Sequence, residues 1–305
     1  MGLFGNGRVN IVITNRVLRY SFHKNPSVDG MVSHGEVKLP EGIMKDGIIT
    51  NKAVFEEIIH KLVKENKWRR KKVSFSVPDD TVVIRQLKVP ASLTKNEAMG
   101  YIKTQIGNSV YLPFANPAIA LDFLDTIEEE NRNVLLYAYP KEKIATLEDV
   151  FENKGLEPVV ADLTTLSVYR YYYQNKQADK QHVLLIHWNK DALVLSAFQH
   201  DKAIFTRHMK TTTVEENSEI TKETAHQIID EYMIEVNRII DFYQYSITKG
   251  QHQIELLILS GDFPYLNAVR KNLQETSSIP IHEFPEDKVP VKYADVLGLA
   301  LKTET

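Results

Sequence analysis

Two hairpin-like segments head the two halves of the chain, and they constrain its fold more than any other feature. RVNIVI, the turn residues Thr14 and Asn15, and RVLRYSF give an apolar strand, a polar turn and a second strand, with Val9, Ile11 and Ile13 alternating. After a polar stretch at residues 175–181, NKQADKQ, the pattern restarts as HVLLIHW and ALVLSAF, followed by AIFTRHM. The return of NIVITNRVLRYSF as LLIHWNKDALVLSAFQ predicts an internal duplication. Strands and helices alternate after each hairpin, so the class is α/β with mixed sheets.

The connecting segments carry ordinary punctuation. MVSHGEVKLP is a strand closed by proline, and Asp46-Gly47 turns the chain toward a helix over residues 51–66. Asn51 is its N-cap, and Val54, Ile58, Ile59, Leu62 and Val63 share one face. VSFSV and TVVIRQLKV flank the turn Pro78-Asp79-Asp80, and Thr94 with Glu97 frames a capping box. Strands at 117–124 and 133–139 precede a helix opened by Pro140 and stopped by Gly155. PVVAD then leads to Asp162, read as the N-cap of LTTLSVYRYYYQ. In the second half a helix over about 222–247 carries an apolar stripe from Ile228 to Tyr243 at core-packing spacing. IELLILS, Gly261-Asp262, a helix from Pro264, SIPIHEF and YADVLGLALK complete the chain.

Composition removes several function classes. The 305 residues carry 37 basic and 40 acidic side chains, a formal net charge of -3, which gives no reason to expect a nucleic-acid partner. The absence of cysteine excludes thiol nucleophiles, thiolate metal sites and a disulfide framework. No run approaches the roughly 20 apolar residues of a membrane helix. MGLFGNGRVN lacks the apolar core of an export signal, so a cytoplasmic protein without direct membrane insertion is expected. Phosphate-loop, nucleophile-elbow and zinc-helix motifs are missing, and GNGRVN precedes a strand where a dinucleotide loop would follow one. His182 and His187 would face opposite sides of one strand, and no metal site is expected. KWRRKK, at a helix end where cations suit the dipole, reads as a solvated face rather than an anion site.

A more specific signal lies in VSFSVPDDTVVIRQLKVPASLTKNEAMGYIKTQIGNSVYLPFANPAIALDF. It contains a Val-rich strand, Pro, Val-x-x-Arg, Leu-x-Val-Pro, a helix, Tyr-x-Pro-Phe and Leu-Asp-Phe. With NVLLYAYPKEKIATLEDVFENKGLEPVVADLTTLSVYR, IELLILSGDFPYLNAVRKNL and YADVLGLAL, this set resembles the PilM family of type IV pilus assembly proteins, in the actin/FtsA superfamily. The resemblance covers essentially the whole chain. It implies an actin-like fold of two RNase H-like lobes with mixed sheets and small inserted subdomains, facing each other across a nucleotide cleft. On that basis the first lobe is expected at 1–175, with an inserted subdomain at about 78–157. The second is expected at 182–305, with a small helical and strand insert at about 210–250.

The family's phosphate loops are degraded here. Its first Asp-Ile-Gly-Ser loop aligns with Val12, Ile13, Thr14 and Asn15, and its second Asp-Ile-Gly-Ala loop with Leu185, Ile186, His187 and Trp188. Both aspartates and both glycines are replaced, although magnesium needs hard oxygen ligands and phosphates need close backbone approach. In the adenosine loop Ser260 and Gly261 survive, but the next glycine is Asp262. Asp162 matches a family aspartate, while the glutamate expected two residues later is Thr164.

The resemblance therefore implies a cytoplasmic scaffold, a pseudo-ATPase and not an enzyme. It would serve a type IV pilus, a competence pseudopilus or a related secretion machine. The expected partner is the cytosolic N-terminal peptide of a PilN-like bitopic inner-membrane protein, with pilus motor or platform proteins beyond it. Arg85, Pro90, Tyr111 and Pro113 match family positions in the peptide-binding region, where turns and packing would explain them equally well. Thr14, Asn15, Ser260 and Gly261 are the remnant nucleotide-site residues, and no cofactor is expected. The alternative is an ATP-binding actin-like ATPase with unconventional phosphate loops, using ATP and magnesium. Sugar or acetate kinase chemistry is weaker, because it needs the same missing aspartates.

Overall fold

The first hairpin forms where the alternation places it. In a computed structural model describing residues 7–128, 130–176, 179–211, 220–285 and 289–304, β1 (Arg8–Ile13) pairs antiparallel with β2 (Val17–His23). β3 (Met31–Lys38) extends the meander, and a ribbon of β4 (Met44–Lys45) and β5 (Ile48–Ile49) leads to α1 (Lys52–Glu65). Asn51 caps α1 by accepting from the Val54 N–H at 3.3 Å. The buried face is Phe55, Ile59, Leu62 and Val63; Val54, expected on it, is exposed.

β6 (Lys72–Val77) lies parallel to β1, and the chain then leaves the sheet. β7 (Val83–Pro90), α2 (Lys95–Gln105), β8 (Pro117–Glu128) and β9 (Asn131–Pro140) form a separate sheet of order β7-β9-β8. Thr94 and Glu97 close the capping box of α2, whose Ala98 and Ile102 pack with Val89, Leu121, Val134 and Leu136. α3 (Lys141–Asn153) returns to the first lobe, burying Leu147, Val150 and Phe151 in its core, and β10 (Glu157–Leu163) closes the first sheet as β10-β6-β1-β2-β3. The inserted unit is thus narrower than the expected 78–157, because α3 has an apolar face that fits the first lobe.

After α4 (Thr164–Asn175), the second half repeats the plan. β11 (His182–Trp188), β12 (Ala192–Gln199) and β13 (Lys202–Lys210) form a meander, and β14 (Leu256–Ser260) and β15 (Ile281–His282) add in parallel on the other side of β11. The order β13-β12-β11-β14-β15 reproduces the first sheet, strand for strand. Alternation on β11 sends Leu184, Ile186 and Trp188 toward α5 (Lys222–Asp241) and α6 (Leu266–Thr276), and Val183 and Leu185 toward the core shared with the first lobe. α5 passes into a six-residue π-helix at Phe242–Ile247, so the long helix runs as far as expected but changes hydrogen bonding at its end. It is an integral layer of the second lobe rather than an insert. Residues 177–178 of the polar break and 212–219 of the expected insert lie outside the described residues. α6 begins at Leu266, after a turn through Pro264, two residues later than its proline suggested.

The final helix corrects the assignment of 182–305 to one lobe. α7 (Ala294–Ala300) packs against α4, β1 and β2 of the first lobe. Arg8 donates to Ala300 O at 2.7 Å and Arg170 to Gly298 O at 3.0 Å. α4 also touches β11, so the two crossing helices carry one continuous core between the sheets. The crossing requires a glycine, since a Cβ on Gly298 would lie 1.7 Å from Ser167 O. Gly298→Ala should therefore lower stability by about 1–3 kcal/mol through overpacking, read as a fall in the urea midpoint with an unchanged slope.

Candidate functional site between the lobes

The turns of the two hairpins meet across a cavity of about 220 Å³, lined by Thr14, Asn15 and Arg16 from the first and by Asn189, Lys190 and Asp191 from the second. Lys45, Asp46, Asp79, Asp80, His208 and Lys210 complete its walls. Thr14 Oγ1 accepts from the Arg16 and Val17 N–H groups at 3.2 and 3.0 Å, so this hydroxyl stabilises its own turn.

Ion pairs cross the base of this space. Arg16 Nη2 lies 2.7 Å from Asp262 Oδ2, and Arg16 Nε lies 3.7 Å from Asp191 Oδ1. Arg19, on β2, has no exposed surface; it pairs with Asp262, with Asp295 at 3.0 Å and with Glu36 at 2.8 Å. Burial opposes its charge, but the three carboxylates hold Arg19 well above its ordinary value. Burial likewise works against ionised Asp262, yet Arg19 and Arg16 keep its pKa below the usual carboxylate range. Asp295, wholly buried, is pushed up by burial despite Arg19. At the mouth, Lys210 pairs with Asp46, and Lys143 donates to Asp46 O at 2.8 Å.

Asp262 is held by backbone as well as charge. Its N–H donates to Asn189 Oδ1 at 3.1 Å, and its Oδ1 accepts from the Lys190 N–H at 2.9 Å. Gly261 makes this approach possible: its φ is +118°, and a Cβ there would lie 2.0 Å from Trp188 O. Ser260 Oγ is 2.9 Å from His187 Nδ1, while Asn189 Nδ2 is 2.9 Å from His187 Nε2. Burial and nearby Arg19 push His187 down to about 4, so the ring is neutral at pH 7. Thr14 and Asn15 thus line the cavity, whereas Ser260 serves loop packing. Gly261 lines a neighbouring cavity of about 490 Å³ that shares Arg16 and Lys190 with the first.

One aspartate differs from its sequence reading, and a second takes over its role. Asp162 does not cap α4; Leu163 occupies the N-cap, while Asp162 binds Arg170 at 2.9 Å, Lys302 at 2.8 Å and Ser167 Oγ at 3.1 Å. The first-turn donors of α4 are met instead by Asp79, which accepts from Thr165 Oγ1 at 2.7 Å and Thr165 N at 3.3 Å. Burial drives Asp79 up to about 7, against those hydrogen bonds.

A magnesium triphosphate would need free cations, glycine-backed N–H groups and converging oxygen ligands. Arg16 and Lys210 are instead paired with carboxylates, and Arg16 stands between the two cavities. Among the described residues, no three His, Asp or Glu side chains converge to hold a metal ion. Two of the cleft's cations are thus already matched by carboxylates of the chain itself.

Comparison with known proteins places the chain. The family model of the type IV pilus assembly protein PilM matches residues 23–228. This chain belongs to the PilM family. It takes part, as the family does, in type IV pilus assembly. Among solved structures, the PilM-PilN type IV pilus biogenesis complex superposes with a TM-score of 0.72 at 17% identity, covering 96% of this chain and 97% of the other. A Bacteroides thetaiotaomicron protein with an actin-like ATPase fold gives 0.56 at 11%, covering 97% and 98%. MreB 5 of Spiroplasma citri, bound to AMPPNP, gives 0.51 at 10%, covering 96% and 94%. The fold is actin-like. No curated protein sequence matches.

The four PilM-like positions in the inserted unit do not converge. Arg85 and Pro90 lie on edge strand β7, exposed and half-buried, while Tyr111 and Pro113 are exposed on the loop into the opposite edge strand β8. Sequence reasoning missed Arg16, Arg19, Glu36, Asp191 and Asp295. The available signal was Arg19 itself, a lone charge inside the apolar run VLRYSF.

Arg19→Met should cost about 3–5 kcal/mol by stranding buried carboxylates, and adding Asp262→Asn should return part of the loss in a double-mutant cycle. Asp79 holds its proton more tightly folded than unfolded, so its contribution is full below pH about 4 and is lost as pH rises to about 7. Asp79→Asn should flatten the stability profile across that window, measured by urea titrations at successive pH values.

Proposed function

We propose that this PilM-family chain is a non-hydrolysing scaffold that holds the cytosolic N-terminal peptide of a PilN-like bitopic inner-membrane protein. The machine served would be a type IV pilus, a competence pseudopilus or a related secretion system, with motor or platform proteins as further partners. The observation that carries the pseudo-ATPase reading is Asp262. Its carboxylate supplies the negative charge that Arg16 and Arg19 would otherwise seek in a ligand. The structural similarity to a PilM-PilN complex supports the choice of partner. Among the described residues no helix is long and apolar enough to cross a membrane, which suits recruitment to the inner face of the membrane through that partner.

A peptide seat is available away from the cleft. A cavity of about 290 Å³ between the inserted sheet, α4 and the turn after β12 is lined by Tyr137, Leu166, Tyr169, Tyr173 and Phe198. Tyr169 stacks on Phe198 at 3.7 Å and donates to Asp201 at 2.7 Å, which fixes the wall, while Tyr173 is 43% exposed. Asp122 and Asp201 bring carboxylates to the lining, the first paired with Lys95 at 3.7 Å and Lys202 at 3.9 Å, and Arg170 adds a cation, giving an aromatic surface with a mixed-charge rim for an apolar peptide segment. Arg85, Pro90, Tyr111 and Pro113 do not line this cavity.

Calorimetric titration with a synthetic N-terminal peptide of the bitopic protein tests the reading. Tyr173→Ala should weaken binding about tenfold or more, and Tyr111→Ala should change it less than about twofold. Loss in Tyr111→Ala alone would move the seat to the β8 loop. No binding by the folded protein would overturn the partner. Steady Mg-ATP turnover that disappears in Arg16→Ala would overturn the scaffold reading in favour of an ATPase.

A further inference from the structure

α5 forms the outer layer of the second lobe. Ile228, Tyr232, Val236 and Ile239 seat it on the face of the sheet turned away from the core shared with the first lobe. At the helical repeat, the positions directly opposite that buried face are Ile234, Arg238 and Asp241, and Tyr245 follows about one turn later in the π-helical segment. The solvent face of such a helix ordinarily carries polar and charged residues alone. Here Ile234 is 55% and Tyr245 66% exposed, with Phe242 at 40% beside them. The Phe242 ring lies 5.3 Å from that of Phe205 on β13, so the apolar patch continues from the helix onto the neighbouring strand.

The charges of this face have a pattern that selects its partner. Ile234, Arg238, Asp241 and Tyr245 are spaced four, three and four residues apart, the seam of a heptad repeat. Set antiparallel across a two-fold axis between Ile239 and Ile240, two copies of the seam bring Ile234 against the partner's Tyr245 and Arg238 against the partner's Asp241. Beside the seam, Asp230 near one end comes opposite Lys249 near the other, and both are exposed. A parallel arrangement would instead stack Arg238 on Arg238 and Asp241 on Asp241. Asp241 has no ion-pair partner among the described residues. Arg238 pairs only with Glu235, a carboxylate already shared with Arg207 at 3.1 Å, so its remaining donors can take a second carboxylate.

We propose that the outer face of α5 is a dimerisation surface and that its occupant is a second copy of this chain, packed antiparallel. Ile234, Phe242 and Tyr245 are its apolar anchors, and an Arg238–Asp241 pair closes it on each side of the two-fold axis. One helix seam buries less than the roughly 800 Å² per partner of a standard interface, so the dimer is weak, with a Kd on the order of 10–100 μM. Because the surface faces itself, assembly stops at two. The anchors line neither the cleft between the lobes nor the aromatic cavity, so the seam covers neither.

Sedimentation equilibrium of the full chain, from about 1 μM to about 1 mM, is the direct test. The native chain should show a monomer–dimer equilibrium with no larger species. Arg238→Asp and Asp241→Arg each set like charges against one another twice across the axis, and each should weaken the dimer about tenfold or more. Mixed in equal amounts, the two variants put aspartate against arginine at every contact, and they should pair with one another to within about threefold of the native affinity. That recovery is one misfolded chains cannot give. Tyr245→Ala should weaken the dimer about tenfold by removing an anchor at each end of the seam. A native chain that stays monomeric throughout, an open-ended oligomer, a dimer indifferent to both charge reversals, or a mixture that does not recover would overturn the proposal. None of these results bears on the peptide seat, which is read with a peptide probe.

Discussion

Arg19 is the charge that the arrangement of the two lobes depends on. A guanidinium without exposed surface must find its counter-charges inside the protein, because leaving it unpaired costs more than almost any packing defect. It takes Glu36 from the neighbouring strand, Asp295 from α7 and Asp262 from the second lobe. Each partner belongs to a different layer, so satisfying one residue fixes the sheet, the crossing helix and the opposing loop together. Such a network adds little net stability over apolar packing. Its consequence is that one relative placement of the lobes satisfies every charge, and displaced placements strand several.

From Asp262 the constraint passes along the backbone. The Asp262 N–H donates to the Asn189 side-chain oxygen and the Lys190 N–H to the Asp262 carboxylate, while Arg16 reaches it from the first hairpin. α4 extends the same constraint away from the cleft. Its first turn is anchored by Asp79 at the cleft wall, while Leu166, Tyr169 and Tyr173 further along reach the aromatic cavity. On the proposed reading, a cleft closed by internal charge keeps that cavity in one shape, and a peptide meets a surface already ordered.

The duplicated hairpins were legible because alternation over six or seven residues is a local signal, and the two sheets repeat it with identical strand order. Caps were legible where donor and acceptor are close in sequence, as at Asn51 and in the box of Thr94 with Glu97. Asp162 and Asp79 show the limit. Both end strands beside α4, and only tertiary placement decides which carboxylate meets the helix donors; the nearer one in sequence is drawn away by Arg170 and Lys302. The lobe assignment of α7 failed similarly, since an apolar segment such as ADVLGLA says that it is buried but not against what. The loss of phosphate-loop glycines was visible in sequence. The pairing that takes their place, between residues up to 276 positions apart, was not.

The two hairpin turns make the last point about the cleft. Because the halves share a topology, Thr14-Asn15-Arg16 and Asn189-Lys190-Asp191 are brought together by the fold itself. Turns that both present backbone N–H groups form an anion site, and they stay apart unless an anion lies between them. Here one turn contributes a guanidinium and the other a carboxylate, with Asp262 beside them, so the tips attract directly. In a duplicated scaffold, facing loops of opposite charge draw each other together across the cleft. The symmetry that places two turns face to face thus, with a guanidinium on one and a carboxylate on the other, joins the lobes by ion pairing.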